Sequence, residues 1–138
     1  MIQTIEMNFS TPGDTAVRDI TAEVQEKLYG TNLKSGIVTL FSPSSTSALT
    51  TIEYEPGCVA DIQAYFEKTI PQEKPYRHNF RWGDGNGHSH LRSAVLGPSL
   101  TIPFIDGALT LGTWQQIVFI DFDNRPRNRR LVLQVIGE

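Results

Sequence analysis

A chain of 138 residues with one cysteine has no internal disulfide, so its fold must be held by packing and hydrogen bonds. That lone thiol, Cys58, points to the reducing cytosol. Long apolar runs are missing, and the N-terminus lacks the basic start and apolar stretch of a signal peptide, so neither a membrane span nor export is expected. An excess of positive charge is also missing. Twelve Lys and Arg against fifteen Asp and Glu give a net charge of −3, which offers nothing general to nucleic acid or to an anionic membrane. There is no change of composition, no low-complexity tract and no repeat, so residues 1–138 are expected to form one domain.

What is present is a sequence of changing periods. Ile5, Met7 and Phe9 alternate with Thr4, Glu6 and Asn8, the pattern of a half-buried strand, and Thr11-Pro12-Gly13-Asp14 stops it. Ile20, Val24 and Leu28 then recur every four residues, an amphipathic helix with Gly30 just past its end. Ile37–Phe41 and Ala48–Ile52 read as strands around a Ser42–Ser45 loop, and a second helix is expected over Val59–Thr69, before Pro71. Pro71–Ser89 is predicted to be a long loop. Four strand candidates follow: Leu91–Leu96, Ser99–Phe104, Gln115–Asp123 and Arg130–Ile136. Strands arriving in groups with two main helices predict an α+β fold with a largely antiparallel sheet or sandwich. Two helices, each about 10 Å across, cannot cover both faces of roughly seven strands spaced about 4.8 Å apart. A ring of like subunits is the ordinary way to bury the remainder.

Chemistry is concentrated in a few places. His78, His88 and His90 lie within thirteen positions. If residues 88–91 are extended, His88 and His90 share a face, and with His78 they could hold a divalent metal such as zinc with an open coordination position; otherwise the imidazoles tie a loop to backbone. Glu53 ends the second strand pair, while Glu55 reads as a helix-start charge and Asp61 sits early in the helix. Asn86, between the histidines, offers an amide that both donates and accepts. Arg125, Arg127, Arg129 and Arg130 crowd six positions, suited to phosphate capture, to intersubunit ion pairs or to a solvated turn. Ser44–Ser47 could cradle an anion, although no Gly-Lys-Ser/Thr follows to make a P-loop. Cys58 reads best as a buried thiol, and Trp114 as a core anchor or a pocket wall.

The strings TTIEYEPG (50–57), YRHN (76–79), GDGNGHSHLR (83–92) and LGPSLTIPFIDGALTLGTWQQIVFIDFD (96–123), with the ending from Arg127 to Gly137, resemble the YjbQ-like family of small bacterial and archaeal proteins. The resemblance implies an α+β domain that forms trimers through packed sheets. It further implies a site drawn from Glu53, Asp61, His78, Asn86, His90, Trp114, Gln115 and the last arginines. Some members are described as having a secondary thiamine-phosphate synthase activity. Two departures stand out. Ser44-Ser45-Thr46-Ser47 replaces a common His-Thr-Thr-Ala, and Asn86-Gly87-His88-Ser89-His90 replaces Asn-Ala-Asp-Ala-His, so one imidazole is lost and another gained.

The expectation is therefore a cytoplasmic homotrimer with a His-rich site at a subunit boundary, acting on a small phosphorylated or anionic metabolite. Glu53, His78, Asn86 and His90 are the candidate catalytic residues, Arg127, Arg129 and Gln115 the candidate ligand contacts, and His78, His88 and His90 the candidate ligands of zinc or magnesium. The alternative is a trimeric binding protein for the same kind of metabolite that catalyses nothing.

Overall fold

The alternating N-terminal segment becomes β1 (Ile2–Thr11) in the computed structural model, which describes residues 1–138. The chain continues through β2 (Ala16–Asp19), α1 (Thr21–Tyr29), β3 (Gly36–Phe41), β4 (Ser47–Ile52) and α2 (Pro56–Thr69). Then follow α3 (Arg77–Trp82), α4 (Gly87–Leu96), β5 (Ser99–Ile105), β6 (Ala108–Leu109), β7 (Gln116–Asp121) and β8 (Arg127–Gly137). Every strand pairing is antiparallel, and the strands divide into two sheets, ordered β1-β8-β3-β5-β6 and β2-β7-β4.

β7 is apolar on both faces because it lies between two cores. Ile117 and Phe119 face the larger sheet, joining Leu40, Leu133, Phe104 and the inner stripe of α1, Val24 and Leu28. Val118, Ile120 and the following Phe122 face the other way, onto Phe66 of α2. The smaller sheet is thus the middle layer, with the larger sheet on one side and helices α2 and α4 on the other. The outer face of the larger sheet carries no helix. Across it runs a register row of Ile2, Ile136, Ile37 and Pro103, all exposed, with exposed Phe41 two rows further along.

Four helices are present rather than two. The expected strand Leu91–Leu96 is the second half of α4, and the expected loop Pro71–Ser89 contains α3 and the start of α4. α4 escapes a search for apolar periodicity because the side it buries is polar: His88, Ser89, Arg92 and Ser93. Ser93 donates to the Ser47 carbonyl (2.6 Å), and Ser89 donates to the Phe122 carbonyl (2.5 Å). α4 starts where it does because the Asp84 carboxylate accepts from Asn86 N (3.1 Å) and the Asn79 side chain accepts from Gly87 N (2.9 Å). Position 87 must be glycine, since a Cβ there would lie 2.6 Å from Cβ of Tyr76. β2 and β6, at four and two residues, are too short for a readable period. α2 begins three residues earlier than expected, where the Glu55 carboxylate caps the amides of Gly57 (3.0 Å) and Cys58.

Phe119 is wholly buried between the sheets, with its ring edge-on to Phe9 at 5.0 Å. Phe119→Ala should lower stability by about 3–5 kcal/mol in urea unfolding. A loss below about 1 kcal/mol would contradict the two-sheet core.

Candidate functional site

Asp121 and Asp123 interrupt the apolar run of β7 and its extension, and both are almost fully buried. A buried carboxylate needs compensation, and the start of β8 supplies it. Arg129 reaches from the larger sheet to hold Asp121 with two parallel bonds, Nε to Oδ2 (2.7 Å) and Nη2 to Oδ1 (2.8 Å). Its other donors go to Ser44 Oγ and Thr46 Oγ1, each at 2.8 Å. Thr11 also donates to Asp121 (2.5 Å). Asp123 accepts from Thr46 (3.0 Å) and lies 3.0 Å from Nε of Arg127, while its Oδ1 has no hydrogen-bond partner. Burial by itself would raise the Asp123 pKa, but Arg127, Thr46 and Asn86 outweigh it and hold the carboxyl below its usual range.

These groups form one wall of a cavity of about 310 Å³ lined entirely by non-hydrophobic residues: Pro43–Thr46, Asp84, Asn86, His90, Asp123, Arg127 and Arg129. Three segments distant in sequence converge there: the β3–β4 loop, the α3–α4 connection and the β7–β8 corner. Asn86 is buried, accepting from Asn124 N (3.2 Å), with the Ser89 hydroxyl beside its side-chain oxygen. His90 stands at the cavity edge with the His78 ring against it, centroids 4.4 Å apart and tilted by 36°. Burial, then the proximity of His78, lowers the His90 pKa. His78 Nδ1 lies 3.5 Å from Asp84.

His88 does not join them. Residues 88 and 90 are helical, so they point about 200° apart, where a strand would have placed them on one face. The His88 ring is buried beneath α4, its Nε2 3.2 Å from Ser89 Oγ and its Nδ1 without a partner, and burial followed by Arg92 lowers its pKa. The expected triad of His78, His88 and His90 around a metal is therefore corrected: no group of three His, Cys, Asp or Glu side chains is placed to hold an ion. Zinc, which asks for three or four such ligands, does not fit this arrangement.

Glu53, Trp114 and Gln115 are separated from the cavity as well. β4 and β7 pair from Ser47–Asp121 at the cavity end to Ile52–Gln116 at the far end, about 17 Å away at 3.4 Å per residue. There Gln115 donates to Thr51 (3.1 Å) and Trp114 is exposed. Glu53 is likewise exposed, and so is Asp61, on α2. The arginine cluster also changes meaning. Arg127, Arg129 and Arg130 face Asp123, Asp121 and Glu6, so the protein's own carboxylates relieve the crowding of like charges and no external anion is demanded. Arg129 has four of its five N–H groups engaged internally, which leaves Arg127, one-third exposed, as the guanidinium available to a ligand.

Sequence reading missed Asp84, Asp121 and Asp123. The last two had a signal, since two aspartates at alternate positions of an apolar strand, followed at the same spacing by Arg125, Arg127 and Arg129, is the pattern of a buried charge ladder.

A two-sheet α+β domain with one wholly polar cavity at the corner between its sheets is the class defined by this fold and site. The sequence profile of the UPF0047 YjbQ-like proteins matches residues 5–138, and the chain belongs to that family. A UPF0047 protein from Methanothermobacter thermautotrophicus is 39% identical over 99% of this chain and 94% of its own length. One from Archaeoglobus fulgidus is 35% identical over 96% of this chain and all of its own. Among solved structures, a hypothetical protein from Aeropyrum pernix superposes with a TM-score of 0.91 at 32% identity, covering 99% of both chains. A YbjQ-like protein of unknown function from Sulfolobus solfataricus gives 0.90 at 26% identity over the whole of both. No helix is long and apolar enough to cross a membrane.

The lowered histidines give stability a direction with pH. Above the ordinary value of 6.5, His88 and His90 are neutral in both the folded and the unfolded chain and contribute no pH dependence. As pH falls below 6.5, the unfolded chain takes protons first, so stability is lost until the folded-state values are reached. Unfolding free energy should therefore decline on acidification in this window, with a shallower slope in His88→Gln. Parallel slopes would show that His88 is not held neutral. Asp123 acts in a separate, lower window, where stability is lost as pH falls below 3.8.

Proposed function

We propose that this chain is a small-molecule enzyme acting at the polar cavity beside His90, on a substrate that carries a phosphate or another anionic group. The observation that supports this is the convergence of the His90 imidazole, the Asp123 carboxylate, the accessible Arg127 guanidinium and the Ser44 and Ser45 hydroxyls on one cavity lined by no hydrophobic residue. A purely architectural corner would not keep all of these facing a void.

Each group then has a role. Arg127 donates to the anionic group through its Nη atoms. Ser44 Oγ already accepts from Arg129 (2.8 Å) and from Thr46 N (3.2 Å), and its own O–H has only a long internal contact, Thr46 Oγ1 at 3.5 Å, to exchange for a bond to the ligand. His90, neutral near pH 7, accepts or returns a proton, and Asn86, fixed by Asn124 and Ser89, is a positioning residue. Formal charges in the lining balance, two aspartates against two arginines, so affinity for a bare anion should be modest and should rely on oriented donors more than on net charge. A specific candidate is the thiamine-phosphate synthase reaction described for some members of the family. There a pyrimidine diphosphate is joined to a thiazole phosphate, and Arg127 and Ser44 would donate to the departing pyrophosphate. No step is routed through a metal.

The open face of the larger sheet supports a homotrimer, the assembly that the family resemblance implies. Its exposed apolar row needs cover, and the same face ends at Phe41 and Arg130, within two residues of the cavity-lining Pro43 and Arg129. A second copy packed there would border the cavity.

Two experiments test these readings. In pyrophosphate titrations Arg127→Lys keeps the charge but loses the planar fork, so affinity should fall by about 1–3 kcal/mol, while His90→Gln should abolish turnover with pyrimidine diphosphate and thiazole phosphate. Unchanged binding and turnover would remove the site. In light scattering the protein should be trimeric at micromolar concentration, and Ile37→Arg, in the middle of the open row, should dissociate it. A monomeric parent protein would sink the assembly.

A further inference from the structure

Beside the polar cavity lies a second hollow of about 190 Å³, lined by Asp84, Asn86, Asn124, Arg125 and Arg127, again with no hydrophobic residue. Asp84, Asn86 and Arg127 line both. Three of the hollow's five lining residues are therefore also the wall of the cavity, and a ligand seated against them meets Ser44 on one side and Arg125 on the other.

The hollow leaves both kinds of hydrogen-bonding group open. Asp84 uses Oδ1 at the start of α4, where it accepts from Asn86 N (3.1 Å) and lies 3.5 Å from His78 Nδ1, while its Oδ2 has no partner. Asn124 donates from Nδ2 to the Asp84 carbonyl (2.8 Å), so its Oδ1 is the end left to accept. Arg125 makes no ion pair, unlike Arg127, Arg129 and Arg130. Its backbone is nonetheless fixed against the β1–β2 turn: a Cβ on Gly13 would lie 2.6 Å from the Arg125 carbonyl oxygen, and Asp14 N donates to the Asp123 carbonyl (2.7 Å).

Open acceptors beside an unpaired guanidinium match one functional group better than others. A hydroxyl donates one bond and accepts two, so neighbouring hydroxyls satisfy a carboxylate and a guanidinium together. A second phosphate would meet Asp84 as a like charge, and an ammonium would meet Arg125 in the same way. A hydrocarbon or an aromatic ring would cover these groups and leave them unpaired.

We propose that the ligand is a phosphorylated polyol, with its phosphate in the cavity against Arg127 and Ser44 and its hydroxyls in the hollow against Asp84, Asn124 and Arg125. The proposal rests on the anion-site reading above and adds to it the chemistry of the rest of the ligand. A sugar or polyol phosphate is a different class from the heteroaromatic phosphates of the secondary activity described in the family. Selectivity follows from the lining, because an analogue without hydroxyls loses its own bonds and also strands the acceptors and donors that it covers.

The test compares three probes on the full chain by titration calorimetry: inorganic phosphate, propyl phosphate and glycerol 3-phosphate. The last two share charge and carbon chain and differ only in two hydroxyls, so their affinity ratio cancels the electrostatic attraction common to both. Glycerol 3-phosphate should bind about tenfold or more tightly than propyl phosphate. Asp84→Asn keeps the oxygen that caps α4 and turns the open acceptor into a donor, and Arg125→Met removes the unpaired guanidinium at an exposed position. Each should cut the ratio to about threefold or less. Binding of inorganic phosphate to Asp84→Asn should be unchanged or tighter, since a like charge is removed, which separates lost recognition from a damaged site. Equal affinities for the two esters, with inorganic phosphate bound, would overturn the polyol assignment and leave the anion site standing. A preference that survives both substitutions would overturn the hollow as the place where hydroxyls are read. If none of the three probes binds, the anion-site reading falls and the polyol with it.

Discussion

The Arg129–Asp121 pair is the constraint from which the rest of this corner follows. Asp121 belongs to the smaller sheet and Arg129 to the larger, and both lie in the layer between them. Removing two charges from water is costly, and their attraction repays it only when the remaining donors and acceptors are also satisfied. Here Thr11, Ser44 and Thr46 complete the set. The pair therefore does more than join sheets. By requiring Ser44 and Thr46 as partners, it draws the β3–β4 loop across the end of the sandwich, and Thr46 in turn holds Asp123.

The opposite wall is held by similar means. α4 packs on the smaller sheet through serines, an arginine and a histidine where leucines would be usual. Arg92 donates to the Ile70 carbonyl, to Thr15 and to Glu67, all at 2.9 Å, fixing α2 and the β1–β2 turn against the helix. Thr15 has a positive φ of 62°, strained for a β-branched residue, and it is retained by Arg92, by Gln63 and by its own amide bond to the Asp121 carbonyl. Such packing is directional. It places Asn86 and His90 more narrowly than apolar contact would, at the cost of making α4 dependent on its neighbours.

Because arginines and aspartates are already matched, the cavity does not behave as an open cationic trap. Its selectivity must come from where individual donors point and from the imidazole pair at its edge, and the single loosely held guanidinium, Arg127, is the group most able to move toward a ligand. The exposed sheet face, by contrast, is a matter of area. Five strands have one face covered by the core and α1 and the other left bare.

Much of the fold was legible in the order of residues. Strand alternation in Ile2–Thr11, the four-residue spacing of Ile20, Val24 and Leu28, and the β-branched runs of β3, β4 and β7 are local consequences of side-chain geometry, and they appear where the pattern puts them. The loop chemistry around Ser44 and the prominence of His78, Asn86 and His90 were equally visible. Only tertiary structure decided the rest. α4 buries polar groups, so hydrophobic period could not reveal it, and its helical turn is what sends His88 inward while His90 meets His78. The arginines looked unpaired because their carboxylates lie on other strands. Glu53 and Gln115 looked close to the histidines in a family pattern, yet the β4–β7 ladder holds them at its far end. Sequence specifies which groups exist and how each local segment repeats; which groups meet depends on register and on buried charge, and these are settled only when the two sheets close on each other.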